Sequence, residues 1–293
     1  MLISLPGTPT SFTFASALHY GEANGTSLYL SLFSPEPLLM DPAPAVVYID
    51  GAGWESDLRV GLGNPWMSPL LASHGFIAVE ISYRLSWQAT FPAQLHDAKA
   101  AVRWLRAHAE QYHIDPHRIG AWGDSAGGHL ASLLGVTGEY PDLEGYSGSP
   151  GYSSRVQAVI ARVAPSDFLD PGWHLITQGD NPVTRLFGGS IRERAEVMKL
   201  ASPLTHVTSS APPFQIVHGT HDETVPFEQA ERLVAALQEA GIEVEFLPIQ
   251  GAYHNLRTDP ELPWAEENWE QLGWQALSFF QKHLRLQEVN SFF

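Results

Sequence analysis

The chain has 293 residues, of which 44% are hydrophobic, and no low-complexity linker divides it, so we expect one large domain with a substantial core over residues 1–293. Its formal net charge of −16 disfavours nucleic acid and anionic membrane surfaces as partners, because both would be repelled, and favours a small neutral or cationic ligand. The absence of cysteine excludes disulfide bonds, thiolate catalysis and cysteine-ligated zinc.

The N-terminal sequence, MLISLPGTPTSFTF, has no basic region ahead of a continuous apolar core. No later stretch approaches the ~18 uninterrupted apolar residues of a membrane-spanning helix. We therefore expect a cytoplasmic protein with no membrane partner. The sequence does not set the oligomeric state, and a homodimer is compatible with it.

The order of the predicted elements indicates an α/β fold. Two alternating segments, Ser16–Tyr20 and Ser27–Phe33, flank the turn-forming sequence GEANGT and predict an antiparallel hairpin. Short runs rich in Val, Ile and Phe then alternate with helical patterns, which is typical of a mostly parallel sheet with right-handed crossovers. The predicted strands are Ala45–Asp50, Ile77–Tyr83, Arg118–Trp122, Val156–Val163, Phe214–His218 and Glu243–Pro248, and the predicted helices are Gln94–Tyr112, Ser125–Val136, Pro226–Ala240 and one within Trp264–Leu286.

Two segments interrupt this alternation. Gly138–Ser154 is rich in Gly, Pro and Ser and predicts a long loop. Pro165–Pro203 contains Trp173, His174 and a run, IRERAEVMK, that predicts a helix. Because long excursions between core strands are usually functional or disordered, we interpret residues 165–203 as a lid insertion.

The strongest chemical signal is RIGAWGDSAGGHLASLL, in which a predicted strand reaches Gly123 and an Ala- and Leu-rich helix follows Ser125. Gly123, Ser125 and Gly127 have the spacing G-x-S-x-G, whose small neighbours allow a strained strand-to-helix turn that holds a serine hydroxyl clear of the backbone. The alternative is a Gly-rich helix start capped by Asp124 or Ser125. Because both flanking elements are predicted, we favour Ser125 as a nucleophile.

A serine nucleophile needs a base and an acid that orients the base. Asp222 lies just after the strand in FQIVHGTHDETVP, and His254 lies in the loop after the strand in EVEFLPIQGAYHNL. Each of Ser125, Asp222 and His254 follows a different predicted strand, so all three are expected at the same edge of the sheet.

Other acidic and histidine residues remain open as alternatives. Glu223 could replace Asp222, as could Asp167 or Asp170 after the preceding strand. His129, inside the helix after Ser125, is more typical of a packed, hydrogen-bonded residue than of the base. Residues His218, His221 and Asp222 have the composition of a zinc site, but the sequence offers no further ligands, so we expect no metal.

With these motifs the chain resembles the α/β-hydrolase esterases of the hormone-sensitive-lipase-like group, close to small bacterial carboxylesterases and to acetyl- or feruloyl-ester hydrolases. The resemblance spans roughly residues 45–284 and rests on GAGW, YR at 83–84, FPAQLHDAKAAVRWLR, GDSAGGHLA, ASPLTHV, HGTHDETVP and GAYHN. It implies an eight-stranded sheet, the triad above, a small ester substrate and no metal or organic cofactor.

The resemblance also implies an oxyanion hole made by the Gly-rich turn after the first parallel strand and by the residue after the nucleophile. The family usually has His-Gly-Gly-Gly there, whereas this chain has Asp50-Gly51-Ala52-Gly53. The N–H donors would belong to Ala52, Gly53 and Ala126, and a change in the first side chain leaves them in place. We expect Asp50 to pair with Arg84 or, failing that, to accept N–H groups of its own loop.

The expected activity is hydrolysis of short-chain acyl esters, with aryl or acetylated-sugar esters as candidate substrates. The aromatic residues expected to line the substrate pocket are Trp54, Trp87, Phe91 and Trp173. An amidase of the kynurenine-formamidase type would use the same triad. A non-catalytic small-ligand receptor on the same fold is the alternative from another class.

Overall fold

A computed structural model describes residues 11–56, 66–138, 140–173, 179–259 and 269–284. Eight strands form one sheet, and they are β1 (Ser11–Ala23), β2 (Thr26–Glu36), β3 (Ala43–Ile49), β4 (Ile77–Ile81), β5 (Ile114–Asp124), β6 (Ala158–Arg162), β7 (Phe214–Gly219) and β8 (Val244–Ile249). Their spatial order is β1-β2-β4-β3-β5-β6-β7-β8. The pairs β1–β2 and β2–β4 are antiparallel, and the others are parallel. This confirms the predicted α/β-hydrolase architecture, including the antiparallel hairpin.

The helices of the described segments follow the predicted alternation. They are α1 (Met67–Ser73), α2 (Ala93–Ala107), α3 (Ala126–Val136), α4 (Pro182–Phe187), α5 (Ile191–Ala201), α6 (Phe227–Glu239) and α7 (Trp269–Leu284). None of them is long and apolar enough to cross a membrane.

The central strand β3 shows why the sheet needs a layer of helices on each side. All seven of its residues are buried, because alternate side chains enter two different cores. Val47 and Ile49 join the core that contains side chains of α2, α3 and α6. Val46 and Tyr48 join the core that contains side chains of α1 and α7. Because the strands from β4 to β8 in the sheet run parallel, their C-terminal ends lie at the same edge, and the candidate site lies there.

The two predicted interruptions differ in structure. The loop over 138–154 contains a short 3₁₀ helix, Pro141–Leu143, and is anchored by ion pairs of Glu144 with the buried Lys99 and Arg103. The excursion over 165–203 carries α4 and α5, so the predicted helix in IRERAEVMK is present. Ser190 and Glu193 form a capping box at the start of α5. His174 lies outside the described residues.

Candidate active site

Ser125 lies at a sharp turn between β5 and α3. The turn gives Ser125 φ 52° and ψ −118°, a conformation that L residues rarely adopt. Its N–H donates to the carbonyl of Arg162 at the end of the neighbouring strand β6, at 2.8 Å. Strain of this kind usually persists only where the surrounding structure enforces it, and here the two strands do so.

Gly127 explains why the turn requires glycine. A Cβ at this position would lie 1.9 Å from the carbonyl oxygen of Ile49 and 2.7 Å from that of Asp50, far inside van der Waals contact. The missing side chain therefore lets the first turn of α3 pack directly on the end of β3. This close approach brings the loop that follows β3 next to Ser125.

The structure brings Ser125, His254 and Asp222 together in one hydrogen-bonded chain. His254 Nε2 lies 2.9 Å from Ser125 Oγ, and His254 Nδ1 lies 2.7 Å from Asp222 Oδ2. A carboxylate can only accept, so Nδ1 carries the proton and Nε2 is left to accept the serine proton. The side chain of Asp222 is fully buried, and that of His254 is 19% exposed. This arrangement can generate an alkoxide nucleophile, and the catalytic roles of the three residues stay predictions.

Asp222 receives more donors than the sequence suggests. Its Oδ1 accepts the backbone N–H groups of Thr224 and Val225, each at 2.9 Å. Its Oδ2 is close to a second histidine, with His218 Nε2 at 3.2 Å. Burial alone would raise the pKa of the Asp222 carboxyl, but hydrogen bonds from His218 and His254 lower that pKa to about 2. The acid is therefore ionised at neutral pH.

The alternative residues have other partners or surroundings. Asp167 and Asp170 pair with Arg232 at 3.1 and 3.0 Å. The side chain of Glu223 is exposed. His129 is buried against Trp54, and its Nε2 lies 2.7 Å from the carbonyl of Ala201, so it is the packed residue that its position predicted.

The histidines of the suggested zinc pattern have separate environments. His218 is fully buried and joins the Asp222 network, whereas His221 is exposed and its ring lies 6.1 Å from that of Tyr253. A different group, Glu243, Glu245 and His283, has ligand atoms near one another among the described residues. Lys282 forms ion pairs with both glutamates, which supplies the positive charge they require.

The turn after β3 has an unusual backbone conformation. Residues Ala52, Gly53 and Trp54 all have positive φ, at 58°, 63° and 58°. The Tyr83 hydroxyl donates to the carbonyls that precede them, those of Asp50 and Gly51, at 3.1 Å each.

Ala126 is the first residue of α3, where N–H groups have no acceptor within the helix. The turn lies next to the nucleophile, since a Cβ on Gly51 would be 3.2 Å from Ser125 Cβ. The assignment of Ala52, Gly53 and Ala126 stays a prediction.

The expected pairing of Asp50 with Arg84 is wrong. Arg84 instead forms a bidentate pair with Asp97 of α2, with Nε–Oδ2 and Nη2–Oδ1 both at 2.8 Å. The Asp97 side chain is fully buried and needs a charged partner, whereas Asp50 is only partly buried. Asp50 Oδ1 accepts the N–H of Gly51 at 2.8 Å, which is the alternative that the sequence predicted.

A second buried ion pair, between Asp124 and Arg162, lies next to Ser125 and was not predicted from the sequence. Asp124 is buried, its Oδ1 lies 2.8 Å from Arg162 Nε, and its Oδ2 accepts the Tyr48 hydroxyl at 3.1 Å. Burial raises the pKa of the Asp124 carboxyl, although Arg162 and Tyr48 act in the opposite direction. Arg162 is a charged residue at the end of the apolar strand β6, and His218 lies near the end of β7. A polar side chain at the end of a buried strand was the sequence signal that could have identified both residues.

The four aromatic residues expected in the pocket fall into two groups. Trp54, Phe91 and Trp173 are buried and meet through ring contacts with His129 and Phe168. The indole N–H of Trp173 donates to the carbonyl of Thr224, in the Asp222 loop, at 2.9 Å. This cluster therefore joins the start of the predicted lid, which contributes Phe168 and Trp173, to the loop that carries Asp222.

Trp87 is different because 71% of it is exposed. It lines a cavity of about 600 Å³ together with Ser86, Thr90, Gly179, Asp180, Thr184, Arg185, Gly188, Gly189 and Ser190. The cavity adjoins the turn after β3, since Ser86 N–H donates to the carbonyl of Trp54 at 2.8 Å and Arg185 pairs with Glu55.

Comparison with known proteins agrees with this geometry. The probable carboxylic ester hydrolase LipM of Mycobacterium tuberculosis is 34% identical over 227 residues, which are 75% of this chain and 50% of LipM. The chain thus spans about half the length of the curated relatives it matches.

Two solved structures resemble most of the chain. A truncated carbohydrate esterase from gut microbiota is 27% identical with a TM-score of 0.81, covering 94% of this chain and 98% of its own. Esterase Est2 of Thermogutta terrifontis with bound propionate is 28% identical with a TM-score of 0.71, covering 94% of each chain. The BD-FAE family profile matches residues 30–237, and the chain therefore belongs to the BD-FAE family of α/β-hydrolases.

Proposed function

We propose that this chain is a serine carboxylesterase that hydrolyses short-chain acyl esters through an acyl-enzyme. The observation that carries the proposal is the continuous hydrogen bonding from Ser125 through His254 to the ionised Asp222. The names of LipM and Est2, an ester hydrolase and an esterase, support it.

In this mechanism His254 Nε2 takes the proton of Ser125 while Oγ attacks the ester carbonyl carbon. The carbonyl electron pair moves to oxygen, and the N–H groups of Ala52, Gly53 and Ala126 stabilise the oxyanion. Collapse of the intermediate expels the alcohol, which receives its proton from the imidazolium. Water then gives a proton to His254 and attacks the acyl carbon. Collapse of this second intermediate breaks the bond to Ser125 Oγ and releases the acid, and the imidazolium returns its proton to Oγ.

The acyl group is expected to be short. Est2, a relative in sequence and fold, has been solved with propionate and with butyrate bound. The loop sequence over 138–154, rich in Gly, Pro and Ser, also offers few apolar side chains for a long acyl chain. We therefore expect p-nitrophenyl acetate or butyrate to react faster than esters of about ten carbons, without interfacial activation.

The cavity at Trp87 is a candidate for the alcohol part of the ester. An exposed indole can receive the apolar face of a sugar or aryl ring, and the neighbouring Asp180, Arg185 and Ser190 carry polar groups that could bind hydroxyls. A sugar ester is favoured because a carbohydrate esterase is among the solved structures that resemble this chain. Acetylated sugars are therefore the substrate class we propose to test first.

The proposal is tested with the purified chain and a Ser125→Ala control on acetylated sugars, on p-nitrophenyl esters of increasing length and on an N-formyl anilide. We expect turnover of the short esters and none by the control. Preference for the anilide would indicate an amidase of the kynurenine-formamidase type. Saturable binding without turnover of any substrate would indicate a receptor and overturn the proposal.

A further inference from the structure

His218 is the last side chain before the loop that carries Asp222, and it is fully buried. Its Nε2 lies 2.8 Å from the carbonyl oxygen of Val225 and 3.2 Å from Asp222 Oδ2. The Phe227 ring meets it edge-on at 6.0 Å. His218 therefore contacts both the end of the loop over 219–225, at Val225, and Asp222, the acid of the proposed triad.

These contacts fix which ring nitrogen of His218 donates. Both oxygen atoms near Nε2 are acceptors, so Nε2 must carry a hydrogen. The hydrogen bond of that N–H goes to the carbonyl of Val225 at 2.8 Å, and Asp222 Oδ2 lies 3.2 Å from the same nitrogen. Nδ1 is buried with no hydrogen-bond partner among the described residues. The Nε2–H group therefore faces both Val225 and Asp222.

The Nε2–H group of His218 is one of the donors around the Asp222 carboxylate. Oδ1 accepts the N–H groups of Thr224 and Val225, and Oδ2 is approached by His218 at 3.2 Å and by His254 at 2.7 Å. Without His218, the one donor left to Oδ2 among the described residues would be His254, whose orientation the carboxylate is meant to fix. The carboxylate plane could then rotate about the two Oδ1 hydrogen bonds.

We propose that His218 is a positioning residue, whose Nε2–H holds Asp222 Oδ2 in the place where it fixes the tautomer and direction of His254. The inference rests on the proposed function, because it assigns His218 a role through the same triad. His218 does not contact the reacting serine in this arrangement, so it should influence the chemical step rather than substrate binding.

The test compares His218→Leu with His218→Gln, whose side-chain amide can again offer an N–H to Val225 and Asp222. The matched control is His206→Leu. His206 is also buried, its Nε2 also lies 2.7 Å from a backbone carbonyl, that of Leu200, and an aromatic ring, that of Tyr140, also meets it edge-on. The control therefore loses the same kind of bond without a carboxylate. We would measure kcat and KM for p-nitrophenyl acetate, the rate of labelling by a fluorophosphonate, and Tm.

We expect His218→Leu to lower kcat and the labelling rate by about 10- to 100-fold, as for loss of a hydrogen bond to a charged group, with KM within about twofold. His218→Gln should recover most of the loss, and His206→Leu should keep kcat within about twofold even if its Tm falls. His218→Met replaces the leucine variant if that one does not fold.

Two outcomes would overturn the inference alone. One is a folded His218→Leu with unchanged kcat and labelling, and the other is equal impairment of the leucine and glutamine variants, which would make the role one of packing. A wild-type chain that neither hydrolyses esters nor reacts with the fluorophosphonate would instead overturn the proposed function, and the inference with it.

Discussion

The substitution Asp222→Asn separates the charge of the acid from its shape. Oδ1 accepts the N–H groups of Thr224 and Val225, so an asparagine would keep its amide oxygen there. Its NH₂ group would then replace Oδ2 and face His254 Nδ1, which lies 2.7 Å away in the wild type, and the N–H of His218. Since an NH₂ group only donates, His254 would be forced into the tautomer that has its proton on Nε2.

That tautomer cannot accept the proton of Ser125. We therefore expect kcat/KM for p-nitrophenyl acetate to fall by about 10³- to 10⁴-fold, which corresponds to about 4 to 5 kcal/mol of transition-state stabilisation. The matched control is Glu223→Gln, a neighbouring exposed carboxylate, which should stay within about twofold. If Asp222→Asn keeps activity within tenfold of wild type, or if Glu223→Gln loses more, Asp222 is not the acid of the triad and another residue orients His254.

Three further predictions test the surroundings of the triad. Gly127→Ala should abolish most activity and lower the free energy of unfolding by about 1–3 kcal/mol, because its Cβ would lie 1.9 Å from the Ile49 carbonyl oxygen. The control is Gly172→Ala, whose Cβ would lie 3.3 Å from its nearest atom. Equal Tm values for the two variants would contradict the close packing at Gly127. Asp50→Asn should retain most activity because an amide oxygen can still accept the Gly51 N–H, whereas Asp50→Ala should lower it, and an Asp50→Asn variant as inactive as Ser125→Ala would make Asp50 catalytic. Burial lowers the pKa of His129 to about 4, so the unfolded chain binds more protons between about pH 4 and 6.5, and stability should fall as the pH drops through that window. Urea unfolding at pH 7 and pH 5 measures this fall in the free energy of unfolding, and His129→Gln should make it smaller by about 2 kcal/mol. A fall of the same size in wild type and variant would contradict the prediction.

The parts of the fold that sequence predicts are those set by local pattern. Buried apolar runs predict the parallel strands, and the G-x-S-x-G spacing predicts the turn, because glycine at 127 is required by a contact that no side chain fits. Asp222 and His254 could be placed because each follows a strand, and parallel strands end at the same edge of a sheet.

The partners of charged side chains could not be predicted in this way. Arg84 and Asp50 follow neighbouring strands, but the choice of partner was decided by Asp97, which the first turns of α2 place in a fully buried position. The cost of desolvating Asp97 is larger than that of the partly buried Asp50, which favours pairing of the guanidinium with Asp97. Sequence separation alone carries no information about that competition.

The aromatic residues show the same limit. Trp54 and Trp87 both follow strand ends in Gly- or Ser-containing segments, yet Trp54 is 3% exposed and Trp87 is 71% exposed. Trp54 faces α3 and the ring of His129, whereas Trp87 faces an open cavity. Trp54 is buried by contacts with rings distant in sequence, those of His129 and Phe168, which no local pattern specifies.

Covalent labelling shows whether Ser125 is a nucleophile that His254 activates. Est2, which shares the fold, has been solved phosphonylated by sarin and by cyclosarin. We would treat the intact chain with a fluorophosphonate and locate the adduct by peptide mass spectrometry. We expect one adduct, on the peptide that contains Ser125, with loss of ester hydrolysis in proportion to labelling. Full hydrolytic activity in a chain that carries no adduct on Ser125, or an adduct on another residue that alone accounts for inhibition, would contradict it.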